Sequence, residues 1–219
     1  MGCRQRAATG RVAGLVAAFA IAAGVLPLAA PAGAEGWVGA RYGRYEASGG
    51  IFEGSGDLEG GELLGVQFGV RLGPLLEVEV AGEQVSEDLR FEEGIFEGIA
   101  AAGEAHFKDL ILYLSGRVDL VTFPLLPMKG YLGGGLNVHY AEVSVEDAAP
   151  AEAGAEDLEQ AIEDSIGERT RGGWHALGGV RLCLPALQLA VFVEARLSDS
   201  FEADLPQFRS LYAGASLRL

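Results

Sequence analysis

Charged side chains recur at alternate positions inside segments that are otherwise apolar, which is unusual for a surface exposed to water. Six arginines and five carboxylates share these positions and nearly balance, although the whole chain has a formal net charge of −15. Because buried charges must be paired, this near-balance predicts a structural network of ion pairs in an enclosed interior. The predicted members are Arg41, Arg71, Arg117, Arg181, Arg196 and Arg218 with Glu77, Glu79, Asp109, Asp119 and Glu194.

Two histidines, His139 and His175, flank the longest polar segment and fall on the same face as these charges. Two histidines and a carboxylate could bind a transition metal. The alternative is a pair of histidines that are hydrogen-bonded to nearby carboxylates. Since no third ligand stands at a fixed spacing, we predict no metal, cofactor-binding or catalytic residue.

The elements that carry these residues are predicted from alternation. In "GVQFGVRLGPLLEVEVAGEQ", residues 65–84, apolar side chains occupy every second position on both sides of Gly73-Pro74. Period two around a tight turn is typical of an antiparallel hairpin. The same pattern predicts eight strands, at 37–45, 65–72, 76–84, 109–121, 130–140, 174–184, 187–196 and 211–219.

The connections between these segments alternate in length. Short turns are predicted at Gly73-Pro74, Phe123–Met128 and Pro185-Ala186, and long acidic loops at 46–60, 85–105, 144–172 and 199–207. Short turns at one end and long loops at the other predict an up-and-down meander. In the longest loop, "AEDLEQAIEDS" could form a short helix or a solvated loop.

The composition of the two faces indicates which one meets lipid. The charged face is rich in glycine, which makes room for large neighbouring side chains in a crowded interior, and the apolar face has no charge in mid-strand. An edgeless sheet is one of two backbone arrangements that a bilayer permits. We therefore predict an all-β fold, an eight-stranded antiparallel up-and-down transmembrane β-barrel with short periplasmic turns and long acidic extracellular loops. An interfacial girdle is predicted from Trp37, Tyr42, Phe123, Tyr140 and Trp174.

The first 34 residues have the features of an export signal. Three arginines precede an apolar stretch, and Ala32-Gly33-Ala34 is a small-x-small cleavage site. We predict cleavage between Ala34 and Glu35, which leaves residues 35–219 as the barrel domain. The acidic mature chain argues against a nucleic-acid partner, and Cys183 is left as a single buried thiol.

Three stretches resemble small outer-membrane β-barrels of the OmpA/OmpX type, a broad porin-like group: "GWVGARYGRYE", "MKGYLGGGLNVHY" and "SLYAGASLRL". The resemblance implies location in the outer membrane of a Gram-negative bacterium. It also implies contact with outer-membrane lipid and lipopolysaccharide, and with the assembly machinery during biogenesis. Such barrels usually end in an aromatic residue, whereas this chain ends in Leu219.

The predicted function is a structural or surface-interaction role in the cell envelope, with a filled lumen, no wide pore and an extracellular ligand that the sequence does not name. One alternative is a soluble periplasmic lipocalin-like binding barrel. Another is a lipid A-modifying barrel enzyme, which would need a His-Ser pair and an acid. Neither His139 nor His175 has a serine two residues on, so no enzymatic activity is predicted.

Overall fold

The structure is a computed structural model that describes residues 35–48, 61–96, 99–123, 127–150, 169–201 and 207–219. The predicted signal, residues 1–34, and the "AEDLEQAIEDS" segment lie outside the described residues. Cleavage after Ala34 and the conformation of that segment therefore stay predictions.

Eight strands and one short 3-10 turn account for the described chain. The strands are β1 (Glu35–Ser48), β2 (Glu62–Leu72), β3 (Leu76–Phe96), β4 (Ile99–Phe123), β5 (Met128–Pro150), β6 (Arg169–Leu184), β7 (Leu189–Ser200) and β8 (Gln207–Arg218). Gly73 in the β2–β3 turn has φ of 76°, a left-handed conformation that glycine adopts without strain. The 3-10 turn, Pro185–Leu187, connects β6 to β7 at a predicted short connection.

Each strand pairs with the next in the chain, and β1 also pairs with β8, so the sheet closes into a barrel. All eight pairings are antiparallel; for example, Ala40 lies opposite Val66 on β2 and Ala215 on β8. This confirms the predicted eight-stranded up-and-down barrel. Among the described residues, no helix is long and apolar enough to cross a membrane.

Three neighbouring strands are longer than predicted, which corrects the expected loop at 85–105 and also the ends of the loop expected at 144–172, where residues 144–150 and 169–172 belong to strands. Strands β3 and β4 stay paired as far as Phe96 and Ile99, and β5 continues to Pro150. The acidic composition of this segment predicted a loop, but antiparallel backbone hydrogen bonds do not depend on side-chain charge. Among the described residues, β2 pairs with β3 up to Ser86 and β6 pairs with β5 up to Ala141, so β3, β4 and β5 extend beyond these pairings.

Side chains alternate between the lumen and the outside as the sequence predicted. Every strand presents a large apolar side chain that is exposed on the outer surface. Examples from β1 to β8 are Val38, Leu64, Leu76, Leu114, Leu136, Val180, Val193 and Leu211. Phe68 and Val70 share these outward positions on β2 yet are only 5% and 4% exposed.

Trp37 does not belong to the predicted interfacial girdle. Trp37 and Arg41 are four residues apart on β1, so their side chains point to the same face of the strand. Trp37 therefore lies in the lumen, where it is 9% exposed. Its ring covers Gly69, where a Cβ atom would come within 2.2 Å of it. Tyr42 and Trp174 face outward, 54% and 45% exposed. Tyr140 is half-buried, and the side chain of Phe123 lies outside the described residues.

The loop end of the lumen is filled by apolar and aromatic side chains. None of these inward-facing residues was singled out from the sequence as a core residue. The buried members of this layer are Tyr45, Leu63, Ala81, Val85, Ile111, Tyr113 and Tyr212, and Phe208 packs against them. Phe192 belongs to the same cluster but lies on the turn side of Glu194, opposite Arg181 on β6. It packs over Gly214, where a Cβ atom would lie 2.3 Å from the ring.

Candidate functional site in the barrel lumen

Below the apolar layer lies a group of six ionic side chains, which we call the central cluster. It has three arginines and three glutamates from β1, β3, β4 and β7, each at most 4% exposed. Period-two alternation places all six in the lumen, and barrel closure brings β1 and β7 close to β3 and β4. The members are Arg41, Arg117, Arg196, Glu79, Glu83 and Glu194.

Each arginine of the central cluster contacts at least two of its glutamates. The Arg117 guanidinium lies 2.5 Å from Glu79 and 2.7 Å from Glu194. Arg196 donates to Glu194 at 3.0 Å and lies 3.4 Å from Glu83. Arg41 is also paired with Glu83 and lies 3.4 Å from Glu79. The charges therefore form one connected network and not three separate pairs.

Aromatic and amide groups surround this network. Tyr131 and Tyr212 donate their hydroxyl hydrogens to Glu194 at 2.9 and 2.7 Å. The Arg196 guanidinium stacks on Tyr113, 3.9 Å from the ring centroid, and Arg41 donates to Gln67 at 3.1 Å. These contacts provide hydrogen bonds and cation–π attraction for charges that are out of reach of bulk water.

A second ionic group, the turn-end cluster, lies nearer the short turns. Its cations are Arg71, Lys129 and Arg181, with side chains 20%, 28% and 12% exposed. All three contact Asp119; Lys129 lies 3.0 Å away and Arg71 3.3 Å away. Both arginines also contact Glu77, Arg181 at 2.7 Å. Three cations thus share two carboxylates in a setting that is partly open to solvent.

The turn-end cluster borders a cavity of about 430 Å³, which we call the turn-end cavity. At its rim Arg218 pairs with Glu35, and both side chains are about half exposed. Its wall combines the basic side chains with apolar residues of the turns. Lining residues include Trp37, Arg71, Glu77, Lys129, Arg181, Cys183, Leu184, Pro185, Gln188 and Ser216.

The structure keeps His139 and His175 apart. In the pairing of β5 with β6, His139 lies opposite Arg171 and His175 opposite Gly135. His139 hydrogen-bonds Asp109 through Nδ1 at 2.7 Å and stacks on Phe208. No group of three potential metal ligands occurs among the described residues. The hypothesis of a metal bound by both histidines therefore has no geometric support.

His175 instead meets Ser115, with Nε2 and Oγ 2.9 Å apart. The sequence pattern considered above was a serine two residues after a histidine on the same strand. This contact does not fit that pattern, because Ser115 lies on β4 and His175 on β6. A serine–histidine pair can act in nucleophilic catalysis when a third group orients the imidazole and the substrate can reach the serine. Both residues are only 2% exposed, and His175 Nδ1 has no hydrogen-bond partner within the described chain. Among the described residues, this pair therefore has neither a third group that orients the imidazole nor an open path for a substrate to the serine.

The predicted charged residues thus divide between several places. Five of them fall in the central cluster and four in the turn-end cluster, while Asp109 pairs with His139 and Arg218 lies at the rim. Glu83, Gln67 and Lys129 were missed, although each has the same alternation as a predicted neighbour. The period-two count reaches Glu83 two steps after Glu79 on β3 and Gln67 two steps before Arg71 on β2, and it reaches Lys129 one step before Tyr131 on β5.

Comparison with known proteins gives a fold but no family. Neither a family model nor a curated protein matches the sequence. Among solved structures, neisserial surface protein A is similar, with a TM-score of 0.56 and 17% identity over 85% of this chain and 99% of that one. Ail, the attachment invasion locus protein of Yersinia pestis, aligns with a TM-score of 0.52 and 12% identity over 85% and 99%.

The outer membrane protein OprG of Pseudomonas aeruginosa aligns with a TM-score of 0.51 and 13% identity, over 84% of this chain and 96% of that one. These likenesses span nearly all of each solved chain. The fold is therefore that of the small outer-membrane β-barrels, as the resemblance in the sequence predicted.

Proposed function

We propose that the chain is an integral outer-membrane β-barrel with a structural or surface-interaction role in a Gram-negative envelope. The observation that carries this proposal is the band of exposed apolar side chains on all eight strands. Leu114 and Leu136, paired on β4 and β5, are 52% and 56% exposed. Soluble monomers rarely expose apolar patches larger than a few hundred Å², whereas lipid is the natural environment of such a band.

The arrangement of the lumen supports this proposal over a lipocalin-like carrier. A carrier of apolar ligands needs an apolar cavity inside the barrel and a polar outer surface. Here the apolar residues of the strands are largely outside, and six ionic side chains fill the middle of the lumen. The apolar layer fills its loop end. The same filling argues against a wide pore.

The extension of β3, β4 and β5 supports a role in surface contact. These strands have 21, 25 and 23 residues, whereas β2 has 11. In an even-stranded barrel both chain ends lie on the side of the short turns, which places the extension on the opposite, extracellular side. Outer-membrane lipid and lipopolysaccharide would contact the apolar band, and the assembly machinery would insert the barrel.

Cell fractionation tests the location. The protein should remain with the outer-membrane fraction after washing at alkaline pH, which removes peripheral proteins. Recovery in the soluble periplasmic fraction would contradict the proposal and favour the carrier.

Export is proposed with cleavage between Ala34 and Glu35. Glu35 pairs with Arg71 on β2, so a cut at this position would leave the paired part of β1 in the barrel. The intact mass of the protein from the envelope should correspond to residues 35–219. A mass that includes residues 1–34 would show that the segment stays as an anchor.

Protease added to whole cells tests the orientation. Cleavage is expected between β5 and β6, within residues 151–168, and not at the turn at 123–128. Cleavage at 123–128 in intact cells would mean that the barrel is inverted.

A further inference from the structure

The turn-end cavity is cationic although the chain is acidic. Four basic side chains line it, but only two acidic ones. We propose that this cavity binds a small anion that carries a phosphate group, with Arg71, Lys129 and Arg181 as its ligands. Such a site requires only the closed barrel, so it does not depend on the proposed membrane location.

The charged groups around the cavity leave an excess of one positive charge, although each cation contacts a carboxylate. At the rim Arg218 is paired with Glu35. Deeper in, three cations share Glu77 and Asp119, the carboxylates that contact them among the described residues. An excess positive charge in a cleft with protein walls concentrates the local field and attracts anions, even when the protein as a whole repels them.

Hydrogen-bond donors are also available in the wall. Lys129 directs one bond to Asp119, and an ammonium group has three donors. Arginine and lysine donors arranged around a small cavity suit the oxygens of a phosphate group, since charge-assisted bonds to phosphate are short and strong.

The size of the cavity indicates what else the ligand carries. A volume of about 430 Å³ is roughly that of fourteen water molecules at about 30 Å³ each. Inorganic phosphate would occupy part of it, and a phosphate ester with a small polar group would occupy more. Because the charged lining residues face the lumen, the ligand would enter from the compartment that the short turns face.

The test is calorimetric titration of inorganic phosphate into the purified full chain, folded in an uncharged detergent, at constant ionic strength in chloride. We expect saturable binding at one site. Lys129→Gln should weaken it about tenfold or more, because a charge-assisted bond is lost. Arg44→Gln is the matched control, since it removes the same charge from an exposed position on the outside of β1. Absence of saturable binding, or equal weakening by both variants, would overturn the proposal.

A second measurement does not depend on the folding of any cavity variant. Cys183 was predicted to be buried, but it is only half-buried and lines the cavity. In a Cys3→Ser protein its rate of alkylation by a maleimide therefore reports occupancy of the cavity. Phosphate should slow the alkylation several-fold relative to chloride, and an unchanged rate would contradict the site. Phosphatidylglycerol added to the micelles distinguishes the source of the phosphate group: displacement of phosphate indicates a lipid headgroup, and no displacement indicates a soluble anion.

Discussion

The central cluster and the turn-end cluster are built from the same residue types but differ in burial and in charge balance. In the central cluster three arginines meet three glutamates, and none is more than 4% exposed. In the turn-end cluster three cations meet two carboxylates, and Lys129 is 28% exposed. Of these two clusters, the one that excludes water has balanced charges. The one with an excess positive charge is partly open to solvent.

The energetic reason is the cost of desolvation. The free-energy cost of taking an ion out of water must be offset by interactions with close partners. Removal of one partner from a buried group therefore leaves a destabilising unpaired charge. Where solvent reaches the ions, water takes the place of a lost partner and single pairs contribute little. The same substitution should therefore have very different effects in the two clusters.

The largest effect is expected for Arg117→Leu. It leaves Glu79 and Glu194 buried with one cation fewer, which should cost about 3–5 kcal/mol of unfolding free energy. Urea unfolding of the protein folded into phospholipid vesicles measures this loss. A change below about 0.5 kcal/mol, typical of a surface position, would mean that this face is not a dry interior.

Leu114→Arg extends the comparison to the outside of the barrel. Leu114 is exposed on the outer surface beside Leu136, so an arginine there would enter lipid and cost about 2–4 kcal/mol near the bilayer midplane. The same urea titration in vesicles applies. A neutral result would place Leu114 in water and contradict the membrane orientation.

Glycine substitutions test how tightly the lumen is packed. Gly69→Ala would push a Cβ atom to 2.2 Å from the Trp37 ring, and the overpacking should cost about 1–3 kcal/mol. Gly130 is the matched control, because nothing lies within 4 Å of its Cβ position. If Gly69→Ala and Gly130→Ala have equal effects on unfolding, the lumen is looser than the structure indicates.

The smallest effect is expected for Arg71→Leu in the turn-end cluster. Its side chain is 20% exposed, and Lys129 and Arg181 still neutralise Asp119 when it is removed. The unfolding free energy should fall by about 1 kcal/mol or less. A loss as large as that of Arg117→Leu would abolish the distinction between the two clusters.

The sequence was sufficient for the topology because a barrel repeats one simple pattern. Alternation around Gly73-Pro74 predicted the β2–β3 hairpin, and the same alternation predicted that Arg117 and Glu194 face inward. It could not predict which charges meet. Arg117 and Glu194 are 77 positions apart and come together only through the curvature and stagger of the closed sheet.

Composition alone gives the wrong structure where side-chain chemistry and backbone pairing are independent of each other. The acids around residues 87–93 predicted a loop, but the backbone continues as paired strands to Phe96. Trp37 was assigned to the girdle because it lies near a strand end. Its position on the same face of β1 as Arg41 places it in the lumen instead. The Ser115–His175 contact joins β4 and β6, so spacing along a single strand could not reveal it.

The central claim, that charges fill the lumen while apolar side chains face lipid, is tested most directly by the two tryptophans of the chain. Trp37 lies in the lumen and Trp174 on the outer surface. In vesicles of brominated phospholipid, the fluorescence of a Trp37→Phe protein, which retains Trp174, should be strongly quenched. A Trp174→Phe protein, which retains Trp37, should be quenched far less. Equal quenching, or stronger quenching of Trp37, would contradict the account.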